Sequence, residues 1–145
     1  MKRLHFSADS SSTADFARRH STLHAMISTS CHCGAVRITI PRAPETLTNC
    51  DCSICRRYGT LWAYYSKDEV SIQAAPGTTA AYAWGSRSLK FVRCSNCGCV
   101  THWEPIVAIR GSRMGVNARN FQPDQLGAVR IRRLDGAVTE EYLDD

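Results

Sequence analysis

Residues 31–40 read CHCGAVRITI. Two cysteines one residue apart open the stretch, and a glycine suited to a sharp turn follows them. The run at 35–40 then alternates apolar and polar residues, the period of a strand with one buried face. Pro41 and Pro44 close it. A cysteine pair running straight into a strand is a fold held at its turns, and the rest of the chain repeats the pattern. Residues 50–55 read CDCSIC and residues 94–99 read CSNCGC.

Short strands fill the intervals. The sequence predicts them at 61–65 (LWAYY), 69–73, 80–84, 89–93, 100–103, 106–110, 113–116 and 128–133, with one helical turn at 122–126 opened by Pro123 and Asp124. Turns are marked at Pro76-Gly77 and Asp135-Gly136. No stretch of more than ten residues keeps a 3.6 period. The expected fold class is mainly β, small antiparallel sheets stapled by zinc. With 145 residues, the chain suits one domain and a modest core that gains from such staples. Residues 26–145 are expected to form that domain. Residues 1–25 read as a disordered N-terminal extension, rich in Ser, Arg and His, and Met26 resembles an alternative start.

Eight cysteines among 145 residues fall short of the density of a small disulfide scaffold. The first 25 residues hold no apolar core of the kind a secretion signal needs, and no run is long enough to span a membrane. The expected setting is a reducing cytoplasm, where clustered cysteines are more often metal ligands than disulfides. The formal charge of +5 then shrinks to about +2, because seven thiolates and two zinc ions enter the sum. Nucleic acid is accordingly not the expected partner.

Zinc prefers soft thiolates in a tetrahedron. Cys31 and Cys33 with Cys94 and Cys97 make the natural closed set, and Gly98 suits the left-handed turn that follows such a knuckle. Cys50, Cys52 and Cys55 are three sulfurs with no fourth ligand nearby in sequence. Three protein ligands and an open position mark a reactive zinc rather than a structural one. A three-thiolate zinc is a poor source of hydroxide and a better holder of an incoming thiol. Other readings remain open at this point. Cys99 could close the second set, or the trio could be buried thiols or hold a redox pair; Cys99 itself reads as a small buried residue.

Arg56 and Arg57 follow the trio and suit a substrate carboxylate, with a surface salt bridge as the plainer reading; Arg56 is the catalytic candidate. Thr60 could donate a hydrogen bond towards the pocket, and Gly59 reads as a turn. Trp62, Tyr64, Tyr65 and Trp103 read as core or pocket wall. His32 is expected to face outward, His102 to be a core or surface residue, and Asn117 to hydrogen-bond backbone. Arg110, Arg113, Arg119, Arg130, Arg132 and Arg133 make the last third basic. That supports an alternative, a non-enzymatic double-zinc module binding protein or nucleic acid.

The segments CHCGAVRITI, NCDCSICRRYGTLWAYY, CSNCGCVTHW, GVNARN and RIRRLDG, in this order, resemble the glutathione-dependent formaldehyde-activating enzyme family, to which centromere protein V also belongs. The resemblance runs from about Ser30 to Gly136. It implies a β-tent fold with two zinc ions per chain, one structural on Cys31, Cys33, Cys94 and Cys97, the other on Cys50, Cys52 and Cys55. It also implies a carbon–sulfur lyase activity, the S-hydroxymethylglutathione synthase reaction, with a small thiol or thiol–aldehyde adduct as partner. Without residues 1–25 the chain resembles the shorter members of that family.

Overall fold

The computed structural model describes residues 25–143. Its backbone is mainly β, in two sheets. The smaller has the order β1-β2-β5, formed by β1 (Ile27–Ser30), β2 (Val36–Ile40) and β5 (Ser71–Ala74). The larger contains β3 (Thr46–Cys50), β4 (Trp62–Ser66), β6 (Thr79–Tyr82), β7 (Leu89–Cys94), β8 (Val100–Pro105), β9 (Arg113–Asn117), β10 (Arg130–Asp135) and β11 (Glu141–Tyr142). Its order is β11-β10-β3-β4-β9-β8-β7-β6. Two four-residue helices, α1 (Cys55–Tyr58) and α2 (Pro123–Leu126), sit in the connections.

Period-2 alternation sorts the side chains onto the two faces of the larger sheet. On β4, Ala63 and Tyr65 join Ile38, Ile40, Leu47, Met114 and Val116 in the core beneath the smaller sheet. Trp62 and Tyr64 point to the opposite face, with Phe91, Val100 and Trp103. β4 is therefore apolar on both sides, which is why LWAYY shows no alternation. Tyr64 and Tyr65 both titrate high, near 12, because burial disfavours the phenolate. On β9, Gly115 lies under the Trp103 indole, where a Cβ would meet the ring.

The mainly β expectation holds, with three local differences. Residues 106–110 are not a strand. Pro105 ends β8, and β8 and β9 are antiparallel neighbours, so the chain must reverse between them. Ile106, Val107 and Ile109 are exposed on that loop. β1 and β3 are strands that polar sequence (ISTS, TLTNC) concealed. Last, β3 and β10 pair in parallel, Leu47 beside Ile131 and Cys50 beside Leu134, within an otherwise antiparallel arrangement. A parallel pair needs a long crossover, and residues 51–129 supply it. The expected extension at 1–25 lies, apart from Ala25, outside the described residues. Among them, no helix is long and apolar enough to cross a membrane.

Candidate metal centre

Seven of the eight cysteines gather into two groups, with the sulfurs of each within 4.8 Å of one another. Cys31, Cys33, Cys94 and Cys97 form the first. Cys31 and Cys33 lie 3.7 Å apart and Cys33 and Cys94 3.6 Å apart, sulfur to sulfur. A tetrahedral ion with metal–sulfur bonds of about 2.3 Å sets its sulfurs roughly 3.8 Å apart, so the spacing fits a thiolate metal site. It is far too long for a disulfide. Cys31 and Cys94 are almost fully buried beside Val36, and the Val36 amide donates to Cys31 Sγ at 3.3 Å. Backbone amides of Cys97 and Asn96 hold the Cys94 thiol low. Amides of Cys99 and Cys33 bring Cys97 down to about 6. Amide donors favour the thiolate, the form a metal takes. Gly98 has the left-handed backbone expected of it, φ 77°. The group joins the start of β2 to the end of β7 and so ties the two sheets together.

Cys50, Cys52 and Cys55 form the second group, on the other face of the larger sheet. Cys50 ends β3, Cys55 opens α1, and Cys52 lies on the turn between them. Gly59 caps α1 in the left-handed region at φ 62°. Hydrogen bonding from the Cys55 thiol, helped by the Cys52 amide, lowers Cys50 to about 6 against the cost of burial. Cys55 is pushed up by the proton it shares with Cys50 and by burial. Trp62 Nε1 donates to Cys55 Sγ at 3.2 Å. Tyr58, Phe91 and Trp62 wall this side, with ring centroids 6.0 and 6.1 Å apart.

Cys99 does not join the second group. It is half-buried against Cys97, beside the first, which removes it as a fourth ligand for Cys50, Cys52 and Cys55. Arg56 and Arg57 are exposed on α1, and Arg57 donates to the Ser53 carbonyl at 2.6 Å. Thr60 is buried. Its Oγ1 is the single fully buried side-chain polar atom without a hydrogen-bond partner among the described residues, one residue beyond the cap of α1. Its amide donates to the Cys55 carbonyl at 3.4 Å. Asn117 has the backbone role expected of it. Its Oδ1 accepts from the Leu61 amide at 3.3 Å, and its Nδ2 donates to the Val100 carbonyl at 2.9 Å. His32 is exposed and His102 is buried. Several of the basic residues have local partners. Arg113 lies 3.7 Å over the Tyr64 ring and Arg132 3.7 Å over Tyr142, while Arg119 Nε donates to the Gly59 carbonyl at 2.7 Å.

Sequence reasoning missed two contributors to the second group. Trp62 was readable as core or pocket wall, but nothing in an aromatic strand announces a hydrogen bond to sulfur. The β10–β11 turn was readable only as a turn. It docks on the trio, with the Asp51 amide donating to the Leu134 carbonyl at 3.2 Å and the Ala137 amide donating to Asp51 Oδ1 at 3.1 Å.

The model of the family described as glutathione-dependent formaldehyde-activating enzyme matches residues 26–127. A crystal structure of a Rhodobacter sphaeroides protein, a structural genomics target, is 29% identical. The likeness covers 72% of this chain and 99% of that one, with a TM-score of 0.56. No curated protein matches the chain. The matched family segment contains both cysteine groups.

Proposed function

Since the chain belongs to the glutathione-dependent formaldehyde-activating enzyme family, we propose that it is a zinc-dependent, carbon–sulfur lyase-like enzyme. Its substrate is a thiol of the glutathione type, or that thiol's aldehyde adduct, taken at Cys50, Cys52 and Cys55. The observation that carries this reading is the inequality of the two groups: four sulfurs in one and three in the other, each within the same 4.8 Å. Cys31, Cys33, Cys94 and Cys97 satisfy a tetrahedral zinc completely and serve the fold. The trio leaves one position for substrate.

Cys50, Cys52 and Cys55 would hold a zinc ion, which would supply a Lewis acid able to keep an incoming thiol deprotonated at neutral pH. The chain's own residues do the rest. Cys50, lowered to about 6, gives up its proton before Cys55, which is pushed up. The Trp62 indole fixes the direction of Cys55 Sγ. Tyr58, Phe91 and Trp62 keep water from one side of the site. We assign to Arg56, exposed on the helix that Cys55 opens, the binding of a substrate carboxylate. In the addition, the thiol sulfur bonds to the carbonyl carbon. The carbonyl π pair moves to oxygen, which takes the proton the thiol released. No electrons are gained or lost overall. We place the protein in a reducing cytoplasm, because free thiols are needed both as ligands and as substrate.

The test is metal content per chain, on protein purified without chelator, with cobalt exchanged in and glutathione added. Two ions per chain, a cobalt spectrum that shifts with glutathione, and faster thiol–formaldehyde exchange by NMR are expected. One ion, or two that ignore thiols, overturns the reading.

A further inference from the structure

The turn between β10 and β11 lies directly on the second thiol group. Leu134 is the parallel neighbour of Cys50. From there the chain turns back through Asp135 and Gly136. The Asp135 carboxylate accepts from the Val138 amide at 3.0 Å and from Thr139 Oγ1 at 3.0 Å. The Ala137 amide is held by Asp51 Oδ1. Turn and cysteine loop are thus tied both internally and to each other.

Gly136 is unlike most of the chain's glycines. Seven of them, Gly34, Gly59, Gly77, Gly85, Gly98, Gly111 and Gly127, have φ between 59° and 80° and open space where a Cβ would stand. Their backbone requires glycine and their surroundings do not. Gly136 is outside that set, so its backbone suits any residue. A Cβ there would fall inside the van der Waals envelope of Cys50 Sγ and stand 3.2 Å from Cys52 Cβ. Proximity to the thiols is what excludes a side chain.

We infer that Gly136 is a positioning residue of the second centre, leaving free the volume that Cys50 Sγ occupies where it stands with Cys52 and Cys55. The inference rests on the zinc centre proposed above. A methyl there overlaps the Cys50 sulfur itself, so that sulfur must leave the place where it stands within 4.8 Å of its two partner sulfurs. The cavity of about 480 Å³ between the sheets carries no comparable signal. Its Lys67 and Lys90 both pair with Glu104, and its His102 with Thr101.

Gly136→Ala in the full chain tests this, with the first thiol group as internal reference. Metal content is expected to fall from two ions to one per chain, and the cobalt–thiolate absorption to lose the part that responds to glutathione. The melting temperature is expected to drop by roughly 5–10 °C. Cys50→Ala removes the sulfur that the methyl would meet, so in that background the same substitution should cost less than half as many degrees. Two ions and an unchanged cobalt spectrum in Gly136→Ala overturn the inference. So does an equal melting penalty in both backgrounds, or loss of folding in both, since glycine would then serve the turn and not the sulfur. A parent protein that holds one ion removes the second centre itself and the inference with it. A parent with two ions and a variant with two removes the inference alone.

Discussion

The two thiol groups sit on opposite faces of one sheet and have opposite relations to the chain. The first draws its sulfurs from the β1–β2 connection of one sheet and from the end of β7 and the turn after it in the other, 61 residues apart between Cys33 and Cys94. The second draws all three from the six residues 50–55. Closing the longer loop removes about 2 kcal/mol more entropy from the unfolded chain. It also ties together surfaces that no short-range contact joins. Four ligands gathered at long range suit a staple, and three gathered at short range suit the site proposed above.

The strongest way to break this comparison is to remove one sulfur from each group in turn. Cys94→Ser leaves a buried, incomplete set where the sheets meet. Structural zinc in small domains contributes roughly 10–16 kcal/mol, as much as a domain's whole net stability. The expected result is loss of the cooperative thermal transition by circular dichroism. A variant that melts within a few degrees of the parent would show that the sheets hold without the staple. Cys52→Ser, half-buried on a turn, should instead keep a cooperative transition, lose one ion of two and abolish thiol–aldehyde exchange. An unfolded Cys52→Ser protein would make the second group structural as well.

Much of this asymmetry was legible in the sequence, because metal ligation is written in spacing. The separation of C-x-C, C-x-C-x-x-C and C-x-x-C-x-C along the chain divides the cysteines into the groups the structure brings together. Alternating strands such as VRITI were equally readable. Cys99 was not, since the sequence allowed it to close the second set or to be a small buried residue, and only the fold shows it beside the first group. The polar strand TLTNC could not be read either. Its register comes from β10, 84 residues on, and long-range parallel pairing leaves no local pattern. Gly136 was hidden for the same reason. A glycine in a turn looks alike whether it answers to its own backbone or to a distant sulfur.

A smaller effect sharpens the division of labour between the faces. His102 lies on the inter-sheet side, buried, with Glu104, Lys67 and Lys90 around it. Burial, reinforced by the lysines and opposed by Glu104, lowers its imidazole to about 4. The unfolded chain takes up a proton near pH 6.5, and the folded chain does not until about pH 4. Stability is therefore unaffected by this group above pH 6.5 and falls as the pH drops towards 4, by of the order of 3 kcal/mol in all. Urea titrations of His102→Gln and parent across that window should diverge by this amount, the variant having the flatter profile. Subtraction removes the acid sensitivity of the thiolates, which both proteins share. Parallel profiles would mean that His102 is charged in the folded state.

The smallest effect is expected at Trp62, where the second face meets its thiols. Trp62→Phe keeps an aromatic ring against Phe91 and removes the indole N–H that donates to Cys55 Sγ at 3.2 Å. Losing one such hydrogen bond costs about 1 kcal/mol, or roughly fivefold in an equilibrium. That loss should fall on the second ion alone. A competition titration with a chelator should show one ion released about five times more readily, and the first unmoved. The sulfur also loses a donor that drains its charge, so the cobalt–thiolate band should move to lower energy. Equal weakening of both ions would mean that the indole acts through general packing, and the two faces would then be one cooperative unit. Weakening confined to the second ion makes Trp62 part of that centre, and the sheet a wall between a staple and a site.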